Sequence, residues 1–340
     1  MARTSADYMS SSLGAEALGQ SEAFLSFQEK LSRVAAVNRP VLLIGERGTG
    51  KELASIRLHY LSQRWQEPFM ALNSAALSAT LIETELFGHE QGAFTGAQQK
   101  RKGRFEAANK GSLFLDEIGS IPMEVQEKIL RVVEYGSFER VGGSSPIEVD
   151  VRLIGATNAD LLDLTNKGRF KRDLLDRLSF EVLFLPPLRE RTGDISLLAG
   201  HFARRMAVEL GWEEAPLFSD RATERLNRHG WPGNVRELKN VVERAVYRAD
   251  SGVIHEVDFN PFQSPYTLQP DDLPRESATP AKRDTPPDFT KMPLKRAVKR
   301  LERHMVQTAL ISTQYNQKKA AALLGLTYDQ FRGIYRKHRI

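Results

Sequence analysis

The run Gly45-Glu-Arg-Gly-Thr-Gly-Lys-Glu52 sets three glycines ahead of a lysine in the spacing G-x-x-x-x-G-K. Glycines there let main-chain N–H groups turn inward onto phosphate oxygens, and Lys51 adds a point charge for the β- and γ-phosphates. Gly45, Glu46, Arg47, Gly48, Thr49, Gly50, Lys51 and Glu52 therefore read as a phosphate-binding loop for ATP. Glu52 stands where Ser or Thr usually reaches Mg²⁺, which removes that hydroxyl ligand. Farther on, the apolar run Ser112-Leu-Phe-Leu ends in Asp116-Glu117. Behind a phosphate loop this pair suits ATP hydrolysis, with Asp116 for Mg²⁺ and its waters and Glu117 to polarise the attacking water. Asn158 follows another apolar run and reads either as a sensor of the γ-phosphate or as a turn residue. Asn73, after Phe69-Met-Ala-Leu72, carries the same two readings. Arg172 and Arg177 fit either arginine fingers for a neighbouring subunit's site or surface ion-pair partners.

These residues need a scaffold that brings loop ends together. Pro40–Ile44 reads as a buried strand entering the glycine loop, and Lys51 to about Ser62 as the helix leaving it. Strand-like runs at Ser112–Asp116 and Val151–Ala156 alternate with helical stretches such as Met123–Glu134. Interleaved strands and helices predict an α/β domain with a parallel sheet. After Pro186-Pro187 the strand signals stop, and helical patterns run to about Ala249. The expected division is a flexible start over 1–16, an α/β subdomain over 17–186 and a helical subdomain over 187–260. A linker over 261–293 and a helical module over 294–340 complete it. Eight of the sixteen prolines fall between Pro261 and Pro293, too many for helix or sheet.

The module over 294–340 is the basic part of the chain. From Lys291 onward twelve Lys and Arg face only Glu302 and Asp329, a net +10, whereas the whole chain carries +5. A basic tail on an acidic body fits a nucleic-acid footprint, or alternatively a solvated helical face. Asn316–Leu324 reads as a helix, Gly325-Leu326 as a turn, and Thr327–Arg339 as a second helix capped by Thr327. In a helix-turn-helix the second helix enters the major groove, which sets Thr327, Tyr328, Gln330 and Arg332 near base edges. Arg336, Lys337 and Arg339 suit phosphates, and Lys318 and Lys319 add charge on the first helix. The competing reading is a helical hairpin for dimerisation, and Leu294–Ile311 could supply a dimer contact in either case.

Composition narrows the rest. There is no cysteine, which excludes disulfides, Cys-ligated zinc, iron–sulfur clusters and thiol catalysis. No apolar stretch reaches the roughly 18 residues of a membrane span. The first twenty residues lack the apolar core of a signal peptide, so a cytoplasmic location is expected.

Four runs together carry a resemblance: GERGTGKE, Gly92-Ala-Phe-Thr-Gly-Ala97, Gly103–Ile118 and WPGNVRELKN from Trp231 to Asn240. In that order they strongly resemble bacterial enhancer-binding activators of sigma-54 RNA polymerase, which are AAA+ ATPases. The likeness spans about Leu18 to Phe262 and resumes at the C-terminus, where it implies a Fis-type helix-turn-helix. It implies ATP and Mg²⁺ as cofactors, sigma-54 polymerase and enhancer DNA as partners, and a ring, expected to be a hexamer. Asn73 then looks like the residue holding the catalytic glutamate, and Arg236 like a second sensor over the γ-phosphate. The sigma-54 contact falls to Gly92, Ala93, Phe94, Thr95, Gly96 and Ala97, centred on Phe94 and Thr95. Glu52 is usual for the family. Where the family typically reads F-R-x-D-x-x-x-R, this chain has Lys171 and then Arg172, with Arg177 in place. Lysine lacks the planar fork of arginine, so Arg177 is the expected principal finger.

The phosphate loop begins at residue 45, so a receiver domain of a hundred residues ahead of it is not expected. Control is then expected in trans or through expression level. RLHYLSQRWQEPF (Arg57–Phe69) and Tyr315–Arg332 resemble the phage-shock branch of the family, whose ATPase is restrained by phage shock protein A. Trp65, an aromatic in a polar run, is the candidate inhibitor contact, or a Trp folded back on its own domain. Outside the resemblance, the phosphate loop also admits another AAA+ machine, of chaperone or helicase-loader type, tethered to DNA. A DNA-binding repressor with a vestigial ATPase is the third reading.

Overall fold

The computed structural model describes residues 17–249, 252–262, 293–313 and 316–338. The proposed flexible start, almost all of the proline-rich linker, and Arg339 lie outside the described residues. The chain divides into two compact units, Met1–Phe262 and Gln263–Ile340.

In chain order the first unit opens with α1 (Glu22–Ala35), β1 (Val41–Ile44), α2 (Lys51–Tyr60), β2 (Phe69–Asn73) and α3 (Ala79–Phe87). A short hairpin of β3 (Gly88–His89) and β4 (Arg101–Lys102) follows, then α4 (Arg104–Ala107), β5 (Ser112–Asp116) and α5 (Met123–Tyr135). A second hairpin, β6 (Ser137–Glu139) and β7 (Pro146–Glu148), precedes β8 (Arg152–Thr157), α6 (Leu161–Asn166), α7 (Arg172–Leu178) and β9 (Glu181–Phe184). The main sheet runs β2-β5-β8-β1-β9. Every neighbouring pair in it is parallel.

Burial on both faces explains the near-continuous apolar strands. Successive side chains point to opposite faces, so Leu42, Leu113, Leu115 and Leu153 enter the core under α3, α5 and α7. Val41, Leu43, Phe114 and Ile154 enter the core under α1 and α2. Gly155 is glycine because a Cβ there would lie 2.8 Å from Leu42 Cδ2. Parallel order places all strand C-termini at one edge, and crevices along that edge are where such sheets bind ligands. Asn73, Asp116, Thr157 and the glycine loop all sit there.

The helical part of this unit comprises α8 (Asp194–Glu209), α9 (Asp220–Arg228) and α10 (Asn234–Tyr247) around the fully buried Trp231. It is not purely helical as expected: β10 (Leu217–Phe218) and β11 (Val253–Ile254) form a parallel pair. Two-residue strands are too short for any period to register in the sequence. β9 was not expected either: it is an edge strand with Glu181 and Phe184 exposed, without the continuous buried run that marks β1.

In the second unit α11 (Leu294–Ser312), α12 (Gln317–Leu323) and α13 (Tyr328–His338) pack around Val306, Ala320, Ala321 and Phe331. Asn316 caps α12 through its side chain, and Gly325 takes φ +66° at the bend. Thr327 and Gln330 bond reciprocally, Gln330 N–H to Thr327 Oγ1 and Thr327 N–H to Gln330 Oε1. That capping box is the expected start of the second helix.

Candidate nucleotide site and partner loops

The glycine loop joins β1 to α2, and its backbone shows why glycine is needed. Gly48 and Gly50 take φ of +78° and +102°, a region L side chains rarely enter. Gly48 has a second reason: a Cβ there would lie 2.3 Å from Gly233 O. Gly45 N–H donates to Thr157 O at 3.2 Å, tying the loop to β8. Lys51, nearly buried, donates through Nζ to Gly45 O at 2.8 Å and Glu46 O at 3.2 Å. Burial pushes its ammonium below the usual value, while the nearby charges of Glu117 and then Asp116 oppose that shift. Lysine and the two carboxylates thus share one electrostatic site. Thr49 Oγ1 donates to Glu46 O at 2.8 Å, and Glu52 is exposed on the first turn of α2.

Asn73 and Asp116 are paired residues of adjacent parallel strands, so their side chains leave the sheet side by side. Asn73 Nδ2 donates to Asp116 Oδ2 at 2.9 Å, and its Oδ1 accepts from Ala75 N–H. The bond that Asn73 makes is thus to Asp116, the neighbour of the expected glutamate Glu117. The cause is register: Asp116 is the strand partner of Asn73, β5 ends there, and Glu117 beyond it takes φ +53°. A non-glycine residue in that region stores strain of order 1–3 kcal/mol and is typical of functional sites. Asn158 lies exposed in the bend just after β8, next to the strand end that contacts the loop.

Arg236 is exposed near the start of α10, and its charge is felt at Lys51. The preceding residues grip the loop: Val235 N–H donates to Gly48 O at 3.1 Å, and Asn234 Nδ2 to Arg47 O at 3.1 Å. Two residues that sequence reading passed over join this contact. Asn234 also donates to Glu46 Oε2 at 2.9 Å, and Arg189 forks onto both Glu46 carboxylate oxygens. Arg189, followed first by Asn234, holds the Glu46 carboxyl down to about 2. The available signal was a carboxylate inside a loop built for anions, which demands a cationic neighbour.

The other arginines lie elsewhere. Arg177 lines a cleft with Arg39 and Pro40, ahead of β1, and with Asp150–Leu153 at the start of β8. That is the opposite edge of the sheet, on the order of 13 Å of strand from the glycine loop. Arg177 bonds Glu134 at 3.0 Å, Arg172 bonds Asp176 at 3.2 Å, and Lys171 bonds Glu127 at 3.1 Å.

Residues 92–97 form the tip of the β3–β4 hairpin. Gly92 N–H donates to Ala97 O and Ala97 N–H to Phe94 O, closing the tip on itself. Ala97 is buried, Thr95 is exposed, and Phe94 is 43% exposed with its ring edge-on to His89. Ala93 packs on Gly142 of the second hairpin, where a Cβ would come within 2.7 Å. At the base, Arg140 bridges Glu90 at 2.7 Å to Glu106. Arg140 and then Lys100 hold the Glu90 carboxyl below its usual range.

Trp65 stands 54% exposed on the α2–β2 turn. Beside it Arg64 is buried and pins the turn, donating to Asn38 Oδ1, Lys110 O, Gly111 O and Asp150. In the second unit Lys318, Lys319, Thr327, Tyr328, Gln330, Arg332, Arg336 and Lys337 are all exposed. Lys337 is ion-paired with Glu302 at 3.0 Å. Among the described residues no helix is long and apolar enough to cross a membrane, and no cluster of three or more His, Asp or Glu could hold a metal.

Comparison with known proteins agrees with this layout. The sigma-54 interaction domain family matches residues 17–183, the AAA+ ATPase lid domain 189–286, and the Fis family of bacterial regulatory proteins 297–337. The chain is 51% identical over 325 residues to the Psp operon transcriptional activator of Escherichia coli K12, covering 95% of this chain and 98% of that one. It is 44% identical over 305 residues to the Nif-specific regulatory protein of Azotobacter vinelandii, covering 89% of this chain and 55% of that protein. Among solved structures, NtrX from Brucella abortus in complex with ATP matches with a TM-score of 0.65 at 30% identity, covering 98% of this chain and 72% of that one. An ATP-binding AAA+ domain whose hairpin belongs to a sigma-54 interaction domain, a lid and a Fis-type helix-turn-helix place the chain in the family of sigma-54-dependent transcription activators.

Proposed function

We propose that this activator hydrolyses ATP with Mg²⁺ and uses the cycle to move the Gly92–Ala97 tip against sigma-54 RNA polymerase at its promoters. The placement of Lys51, Asp116 and Glu117 at or just beyond the C-terminal ends of the parallel strands β1 and β5, at one edge of the sheet, carries this reading. Asp116, with hard oxygen donors, suits Mg²⁺ held largely by phosphates and water, which would neutralise charge developing on the phosphates. Lys51 and the loop amides orient the triphosphate, and Glu117 draws a proton from the attacking water. Asn73 holds Asp116 and reads the nucleotide state, with Asn158 and Arg236 as further sensors. Arg177, far from its own loop, serves a neighbour's site. That requires a ring, for which a hexamer is the working size, with Arg172 and Lys171 in supporting roles.

Exposed residues of α12 and α13 take enhancer DNA, Tyr328, Gln330 and Arg332 towards bases and Arg336 and Lys337 towards phosphates. On α11, Leu294, Val298, Leu301 and Met305 are exposed at 3–4-residue spacing, which suits a dimer contact. We take the phage-shock genes as targets and a cytoplasmic location, in keeping with the Psp operon relative. Trp65, presented rigidly by Arg64, is the contact for a negative regulator of the phage shock protein A type. The working division remains 17–186, 187–260 and 294–340, joined by 261–293.

The test is Thr95→Ala. It should hydrolyse ATP normally yet fail to bind sigma-54 in the presence of a transition-state nucleotide mimic. Normal open-complex formation by this variant would refute the mechanism. Background turnover in both the wild type and Glu117→Ala would refute the enzymatic reading.

A further inference from the structure

Glu46 is chemically misplaced for a residue of a phosphate loop, since its carboxylate opposes the charge of the ligand. What it contacts is the lid. Arg189 Nη1 and Nη2 donate to its two oxygens at 2.9 and 2.6 Å, and Asn234 Nδ2 adds a third bond at 2.9 Å. Asn234 is itself fully buried, takes φ +52°, and accepts from Leu188 N–H at 2.8 Å. One amide therefore joins the lid's entry turn (Leu188–Glu190), the head of α10 and the loop tip. Two residues later on α10 comes Arg236, whose Cβ lies 3.0 Å from where a Gly48 Cβ would be.

We propose that Glu46, Arg189 and Asn234 form a latch between the phosphate loop and the lid, so that nucleotide at the loop sets the position of Arg236. These are positioning residues. The pair is about half exposed, and exposed ion pairs add little to fold stability. The Arg189 fork therefore adds little to the fold, and three bonds converging on one carboxylate from two lid segments suit coupling between loop and lid. This inference rests on the nucleotide-site reading above.

The experiment uses the full chain and a fluorescent N-methylanthraniloyl ATP, with Glu46→Gln, Arg189→Gln and Arg189→Lys, each with and without Arg236→Ala. Electrostatics alone predicts that Glu46→Gln, by removing a negative charge beside the phosphates, tightens binding. The latch predicts the opposite sign, a weakening of about fivefold, with the melting midpoint within about 2 °C of wild type. Arg236→Ala should then cost less in either Gln background than alone, and Arg189→Lys should recover part of the loss. Tighter or unchanged binding by Glu46→Gln, or an Arg236→Ala cost that is the same in every background, would overturn the latch. Should a Gln variant fail to fold, Arg189→Lys with and without Arg236→Ala supplies the same comparison. Absence of binding by the wild-type chain would instead sink the nucleotide site itself, and the latch with it.

Discussion

The two glycine-bearing loops of the first unit are built in opposite ways. The phosphate loop is tied from every side: to β8 through Gly45, to its own carbonyls through Lys51, and to the lid through Val235, Asn234 and Arg189. The Gly92–Ala97 tip is closed by its own turns, and its ion pairs lie at the base, on Glu90. A loop that must match phosphate oxygens to a fraction of an ångström works best when it is ordered before the ligand arrives. A tip that meets a large partner gains from a firm stem and exposed side chains, as at Phe94 and Thr95. In the proposed function, the contrast separates where energy enters from where it is delivered.

The largest blow to the fixed side should come from a residue outside it. Arg177→Ala is expected to lower ATP turnover ~10³-fold while leaving nucleotide affinity of the isolated protomer unchanged. If affinity falls equally, Arg177 acts in its own subunit and the sheet-edge placement has been misread. Glu117→Gln should retain ATP and lower turnover by ~10²-fold, measured as steady-state phosphate release. Retained turnover would move the general base elsewhere.

His59 tests the fixed side through pH. It is buried between Tyr60 and Phe69, with Nδ1 3.0 Å from Ser112 Oγ. Burial, and after it the charge of Arg152 against a backbone bond, pushes its pKa from 6.5 down to about 4. The fold therefore favours the neutral ring. Stability is complete above pH 6.5 and falls as pH drops towards 4, by about 2 kcal/mol at roughly pH 5. Urea melts of wild type and His59→Gln across that range should converge in acid; parallel curves would remove His59 as the cause.

The smallest effect belongs to the free tip. Gly96 holds φ +107° with open space around a Cβ, so Gly96→Ala should cost about 1 kcal/mol of local strain. ATP turnover should stay within about twofold while sigma-54 binding weakens. A matching loss of turnover would show that the two loops are less independent than their bonding suggests.

Much of this was legible in residue order. The strand–loop–helix around Lys51, the carboxylates closing β5 and the Thr327 capping box depend on neighbours in sequence, and local chemistry dictates them. Other elements were not legible: β10 and β11 have two residues each, too few to show a period, and β9 is a half-exposed edge strand. Asn73's partner escaped as well, since it depends on strand register, which no spacing of 43 residues reveals.

By itself, then, the sequence determined that a phosphate loop, a pair of acids, a glycine-flanked Phe-Thr run and a basic helix-turn-helix exist. Tertiary structure decided which of them meet. It put Asn73 on Asp116, sent Arg177 to the far edge of the sheet, and closed Arg189 and Asn234 over Glu46. The reason is physical: motifs are short-range agreements between neighbouring residues, whereas this site joins groups 43 to 188 residues apart. Only the packing of sheet and lid sets those distances.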